Sequence, residues 1–293
     1  MKSNKNSYFL TGDLGYRAVE KIESDFHGRF INVGVAEQNM IGIASGLALS
    51  GKKVFIYSII PFLIMRCFEQ IRNDVCYHDL DITLLGIGSG LSYGILSSTH
   101  FALEDIAILR PLPNMSIFSP VDEIEAVKGL KYLANYHRPV YIRVGGRQEP
   151  IINAYSYSFR FGKGVVLKIG IDTVLFSTGV IMEEVIKAAD MLKKNKKIEA
   201  GVINIHTVEP IDKDLIINQA KRFKTLFVIE EHGMIGGLGS VVSEVVSEYV
   251  PGTRVIRIGT QHKVIKNVGT RSYLRKVLGL DAAGIYNKIT SSL

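Results

Sequence analysis

Apolar and polar positions follow two registers along this chain. Runs of strand length, Tyr8-Phe9-Leu10, Phe30 to Val35, Lys53 to Tyr57, Ile82 to Ile87, Met115 to Phe118 and Val140 to Val144, mark its first half. Stretches with apolar residues at helical spacing follow most of them, notably Pro61 to Tyr77 and Asp122 to Asn135. A break falls at Arg147-Gln148-Glu149-Pro150, followed by Tyr155-Ser156-Tyr157-Ser158, and the alternation then restarts. Strands are expected at Thr173 to Ser177, Glu199 to Asn204, Thr225 to Ile229 and Arg254 to Gly259. Helices are expected at Met182 to Lys193, Asp212 to Lys221 and Gly239 to Tyr249. Strands alternating with helices predict an α/β protein with parallel sheets. The expected organisation is a domain over residues 1–150, a linker over 151–170 and a smaller α/β domain over 171–293.

One acid interrupts this pattern. From Asn32 to Ala48 the chain is almost entirely small or apolar apart from Glu37. The Phe30 to Val35 strand ends in a glycine-containing bend, and Met40, Ile41, Ala44, Leu47 and Ala48 recur at helical spacing after it. Glu37 is therefore placed at a strand's carboxyl end and on a helix's first turn, where open α/β sheets bind ligands. A carboxylate in such a setting needs a neutralising partner or a proton. Position alone fits two roles equally, a catalytic group or a helix-capping acid favoured by the dipole.

Composition narrows the function classes. The chain has 293 residues, 47% hydrophobic and 22% charged, enough for two cored domains. No apolar run reaches membrane-spanning length. The polar start, Met1 to Ser7, lacks the apolar segment of a signal peptide, so a cytoplasmic location is expected. Cys67 and Cys76 are the only cysteines, without metal-like spacing, and are expected to be reduced and inert. The net charge of +7 is densest at Lys193-Lys194-Asn195-Lys196-Lys197, past an amphipathic stretch where cations complement a helix end. No aromatic residue interleaves with these lysines, which argues against nucleic-acid binding. An anionic, phosphate-bearing substrate would explain the positive excess at least as well. Neither Gly86-Ile87-Gly88-Ser89-Gly90 nor Gly236-Gly237-Leu238-Gly239 fits the dinucleotide fingerprint.

The segment "INVGVAEQNMIGIASGLALSG" resembles the thiamine-diphosphate signature of the transketolase family's pyrimidine-binding domain. The resemblance continues through "LTGDLG", "IYSIIPFLIMRCFEQIRNDV", "THFALEDIAILRPLPNMSIFSPVDEIEA", "PVYIRVGGR" and "EEHGMIGGLGS", in family order. It covers the carboxyl-terminal part of a full transketolase. The family's diphosphate-binding domain would precede it, and the early start of the first strand is expected to reflect a naturally split subunit. The resemblance implies a pyrimidine-binding domain followed by the transketolase C-terminal domain. It implies two-carbon ketol transfer from a ketose to an aldose. Thiamine diphosphate is the implied cofactor, with Mg²⁺ ligands on a separate amino-terminal subunit. The expected assembly is a heterotetramer with two copies of each subunit, without a complete site in this chain alone.

Residue by residue, the resemblance assigns Glu37 to the pyrimidine N1′, where a carboxyl group shares a proton. Phe62 matches the aromatic position that packs on the pyrimidine, with Arg66 and Phe68 on the same stretch and Tyr57 at the preceding strand end. Ile59-Ile60 and Pro61 depart from the family there. Asp13 in "TGDLG" belongs to the opening loop, near the cofactor or a subunit contact, and also fits an ordinary turn aspartate. Thr99-His100 is kept in the substrate loop, so His100 is a candidate contact for substrate or its phosphate. Gly88 stands where the family carries a histidine, and Ile95-Leu96 where an acidic pair meets a sugar hydroxyl. An apolar pair would leave such a hydroxyl unpaired, which puts the usual pentose phosphates in doubt. Arg147 is the candidate for the substrate phosphate, with Arg143 behind it. Glu104 and Asp105 are expected to be structural. The loop at Gly236 could receive an anion, and His232 would lie near a subunit interface. Two other readings stay open. One is a related subunit with a 2-oxoacid donor, like deoxyxylulose-phosphate synthase or a 2-oxoacid dehydrogenase β chain. The other is a non-catalytic homologue.

Overall fold

The apolar runs become the strands of two sheets in the computed structural model, which describes residues 1–2, 4–146, 149–152 and 157–293. The first sheet contains β1 (Ser7–Thr11), β2 (Phe30–Asn32), β3 (Lys53–Ile59), β4 (Ile82–Ile87), β5 (Ser116–Phe118) and β6 (Val140–Val144). These lie parallel in the order β5-β6-β4-β3-β1-β2. Leu10, Val54, Ile56, Ile82, Leu84 and Ile117 are fully buried between covering helices, as near-continuous apolar strands require. The connections carry α1 (Glu20–Asp25), α2 (Glu37–Leu49), α3 (Phe68–Gln70), α4 (Asp105–Leu109) and α5 (Glu123–Leu133).

The order of strands positions the site. Residue Phe9 of β1 pairs with Phe30 on one side and Phe55 on the other. The chain leaves β1 for the edge strand β2 and then returns across β1 to β3. The connections after β1 and β3 therefore diverge and open a crevice at the carboxyl edge. Helix α2 buries Met40, Ile41, Ala44 and Ser45 against the sheet. Its Gly42 and Gly46 face open space, and Leu49 is exposed.

The stretch expected as one helix from Pro61 to Tyr77 winds differently. Pro61–Met65 and Ile71–Cys76 are π-helical turns on either side of α3. The Arg66 amide donates to the Pro61 carbonyl at 3.2 Å, and the Tyr77 amide to Arg72 at 3.1 Å. Such wide turns are frequent at functional sites, and apolar periodicity does not distinguish them from α-helix.

The second half contributes β7 (Val165–Lys168), β8 (Thr173–Ser177), β9 (Ala200–Asn204), β10 (Thr207–Glu209), β11 (Thr225–Gly233) and β12 (Arg254–Thr260). Its sheet runs β12-β11-β8-β9-β7. Strand β7 is antiparallel to β9 and lies within the stretch 151–170 expected as linker. Helices α6 (Met182–Lys196), α7 (Lys213–Arg222), α8 (Leu238–Tyr249) and α10 (Ala282–Thr290) cover this sheet, while α9 (Arg271–Leu278) packs Leu274 against Leu91, Phe101 and Leu103 of the first half. Strand β10 departs from it and pairs antiparallel with β5, Thr207 opposite Phe118, so the second half lends an edge to the first sheet. Val208 is buried in the first core. A three-residue run is too short for periodicity to reveal such a crossing.

Candidate active site

Four connections at the carboxyl edge of the first sheet build one cluster. After β2, Gly34 turns the chain with φ of 73°, a conformation open to glycine, and α2 begins three residues later with Glu37. Gly12, at the end of β1, packs so closely that an added Cβ would lie 3.1 Å from the Gly34 oxygen. The Glu37 side chain is only 2% exposed. Arg66, on the connection after β3, supplies its counter-charge, with Nη1 2.6 Å from Glu37 Oε2. The partner that burial demands is therefore present. The Arg66 carbonyl accepts from Gln38 Nε2 at 3.1 Å, which ties the π turn to α2.

Phe62 and Arg66 lie four residues apart on this turn. The guanidinium carbon sits 4.6 Å from the Phe62 ring centroid, a cation–π distance. His100, from the loop after β4, also meets Phe62, edge-on with centroids 5.1 Å apart. Tyr93 lies 6.2 Å from the same imidazole, and Thr99 Oγ1 is 2.9 Å from His100 Nδ1. Glu37, Arg66, Phe62 and His100 are thus contiguous across 63 residues of sequence (100 − 37). A half-buried aromatic face beside a buried carboxylate suits a flat heterocycle, its ring on Phe62 and a ring nitrogen toward Glu37. Gln38 and Tyr93 were not singled out from sequence; their types and spacing carry no chemical signal.

Asp13 is exposed and held by the end of β2. Its amide donates to Asn32 Oδ1 at 2.9 Å, and Asn32 Nδ2 donates to Asp13 Oδ1 at 3.3 Å. Among the described residues no hydrogen bond or ion pair links it to Glu37. Tyr57 stacks on Phe9 at 6.2 Å. Arg147 lies outside the described residues. Among the described residues no group of three His, Cys, Asp or Glu side chains could hold a metal ion.

Three further expectations meet internal partners instead. Arg143 is buried, with Nε 2.7 Å from Asp105 Oδ2 and Nη2 donating to the carbonyls of Ala102 and Glu231 at 2.8 and 3.1 Å. Its Nε and Nη2 edge is thus engaged by the protein itself. Asp105 also accepts from the Tyr141 hydroxyl at 2.6 Å, so its expected structural role is what the geometry shows. Burial alone would raise the Asp105 pKa, but the Arg143 charge, followed by His232, holds it below the ordinary carboxylate value. The Gly236 loop is no open anion site either. The Glu230 carboxylate accepts from Leu238 N at 2.7 Å and Gly239 N at 2.9 Å, filling the start of α8 with the protein's own charge. His232 is buried between Asp105 and Glu230, 3.8 Å from each.

Residues 1–148 match the family model for the transketolase pyrimidine-binding domain, and residues 162–285 that for the transketolase C-terminal domain. One subunit of the apulose-4-phosphate transketolase of Actinobacillus succinogenes is 38% identical over 261 residues, 89% of this chain and 84% of its own length. A putative transketolase C-terminal section of Methanocaldococcus jannaschii is 36% identical, covering 100% of this chain and 92% of its own. Among solved structures, a split-gene transketolase described as an inactive beta4 tetramer superposes with a TM-score of 0.88 at 33% identity, covering 99% of this chain and 92% of that one.

Proposed function

This chain belongs to the transketolase family, and we propose that it is the C-terminal subunit of a split transketolase, a transferase that works with a separate amino-terminal subunit. The observation that carries this reading is the pairing of buried Glu37 with an aromatic face at the crevice of the first sheet. Thiamine diphosphate, when bound, supplies the nucleophilic carbon that makes and breaks the bond to a two-carbon ketol unit.

The chain's own residues bind and orient. Phe62 offers its ring to the pyrimidine, and the Glu37 carboxylate holds a proton shared with a pyrimidine nitrogen. Arg66, whose side chain is 45% exposed, neutralises Glu37 in the free chain and has room to move into solvent when the ring arrives. His100, edge-on to Phe62, contacts the substrate or its phosphate in this reading. Arg147 takes the substrate phosphate in this reading, and Asp13 lies at the cofactor's rim or a subunit contact.

The cofactor diphosphate and Mg²⁺ belong to the amino-terminal subunit. Two copies of each chain form the assembly, and the open Gly42 and Gly46 face of α2 supports close approach of another chain. The setting is cytoplasmic carbohydrate metabolism; among the described residues no helix is long and apolar enough to cross a membrane. The substrate is a sugar phosphate outside the common pentoses. Ile95 and Leu96, 69% and 46% exposed on the His100 loop, favour a sugar without a hydroxyl to satisfy there.

Reconstitution with the amino-terminal subunit tests the reaction. Ketol transfer from ketose phosphates to an aldose is expected, with pyruvate inert as donor. Turnover of pyruvate in place of ketoses would replace this reading with a 2-oxoacid one.

A further inference from the structure

The loop that carries His100 is not held by its own domain alone. It closes at its base, where Gly90 and Ala102 exchange amide–carbonyl bonds of 3.1 and 2.9 Å. Its outer side rests on the second domain. Leu91 N donates to Glu231 Oε1 at 2.8 Å, and Gly269 N donates to the Gly94 carbonyl at 3.3 Å. A Cβ on Gly94 would fall 2.3 Å from the Gly269 oxygen, so the two backbones are in direct contact.

Arg271 opens α9 at this seam, and its side chain reaches two loops at once. Nη1 lies 3.1 Å from Ser92 Oγ on the His100 loop. Nη1 and Nη2 also form a bidentate pair with Glu149, at 2.7 and 2.5 Å. The same Glu149 Oε1 accepts from Gly146 N at 2.6 Å, in the turn that follows β6. Ser92 Oγ in turn donates to the Ser89 carbonyl at 2.7 Å. The pair is partly buried, with side chains 23% and 9% exposed. A planar fork fixes the spacing of its partners as no single ammonium does.

We propose that Arg271, from the second domain, is a positioning residue for the reaction: it sets the spacing between the His100 loop and the turn after β6, and through them the seat of the sugar substrate. This rests on the function proposed above. It gives the C-terminal domain a part in substrate placement without its touching substrate. A contact made equally to the bound substrate and to the transition state raises KM and leaves kcat unchanged when it is lost, so a loosened clamp at this seam is read in KM and spares the cofactor.

The test pairs hydrogen exchange on the full chain with kinetics of the reconstituted assembly, for Arg271→Gln, Arg271→Lys and Ser92→Ala. Arg271→Gln is expected to speed amide exchange about tenfold in peptides over 88–100 and at Gly145–Gly146, with the β8–β9 core unchanged. In the assembly, KM for the sugar phosphate rises about tenfold, while kcat and thiamine diphosphate affinity stay within about threefold. Arg271→Lys keeps the charge and restores part of both effects; Ser92→Ala loosens the His100 loop and leaves the Gly146 turn as it was. A merely structural residue would lower Tm and kcat and leave KM alone. Unchanged exchange in both loops, or faster exchange with unchanged KM, overturns the proposal. A wild-type assembly without ketol transfer would overturn the function and this role in it, while exchange still reads whether the clamp exists.

Discussion

Arg66 and Glu37 form an unequal ion pair: their atoms approach to 2.6 Å, yet one side chain is 45% exposed and the other 2%. Removing either member therefore has different consequences. Without Glu37, the arginine head regains water; without Arg66, a buried carboxylate loses its charge partner. Glu37→Gln is expected to lower kcat of the assembly at least about a hundredfold, the usual range for a lost proton-transfer group, with Tm nearly unchanged. Arg66→Ala is expected to lower stability by about 1–2 kcal/mol and to keep measurable turnover. Thermal melts and steady-state assays on both variants separate the two roles.

Phe62 carries the proposed ring contact through its face. Phe62→Leu keeps an apolar side chain and removes the aromatic one. Thiamine diphosphate affinity of the assembly is expected to fall about fivefold, in keeping with about 1 kcal/mol for an aromatic pair. Equal affinity by calorimetry would remove Phe62 from the cofactor site.

Much of this site was legible in the sequence, because Glu37 stands alone in an apolar run and the strand and helix around it have clear periods. Its neighbours were reachable only through family motifs: nothing in the spacing of Phe62, Arg66 and His100 predicts that they touch. The π turn that sets Phe62 and Arg66 over one another has the same apolar pattern as an α-helix. Arg143 stood behind Arg147 as a phosphate candidate, and its internal partners, Asp105 and the Glu231 carbonyl, are 38 and 88 residues away, beyond the reach of sequence pattern. The glycine-rich loop at Gly236 looked open for a different reason: the Glu230 carboxylate that fills it is near in sequence, but nothing in the strand pattern shows that it folds back onto the start of α8. Arg271 gave no local signal; its role follows from the packing of one domain on the other.

Arg143 and Asp105 tie the first sheet to the second domain, and both are almost wholly buried. Arg143→Met leaves Asp105 charged in the interior beside Tyr141 and His232. The expected loss is about 3–5 kcal/mol, read as a fall in the denaturation midpoint. Full stability in this variant would mean that the pair is dispensable.

Two buried groups between the domains titrate in opposite senses. Burial pushes the Glu125 carboxyl up to about 7, despite hydrogen bonds from Val121 N, Tyr157 and Asn204. Its stabilising contribution is full below the ordinary 4.5 and is lost as pH rises through about 7. Burial pushes His206 down to about 4, with Asp212 opposing, so its contribution is present above 6.5 and lost as pH falls toward 4. In the wild type the two slopes oppose each other between 4.5 and 6.5. Relative to wild type, Glu125→Gln is expected to gain Tm as pH rises from 4.5 to 7, and His206→Phe to lose it from 4 to 6.5. Melts across this range check both signs.

The central claim is that this chain supplies the pyrimidine half of a shared thiamine site. Isothermal titration calorimetry of thiamine diphosphate with Mg²⁺ tests it most directly, on this chain alone, on the amino-terminal subunit alone and on their mixture. The mixture is expected to bind at micromolar affinity or better, Glu37→Gln to weaken that binding, and this chain alone to show no saturable heat. Tight, Mg²⁺-dependent binding by this chain alone would contradict the half-site account.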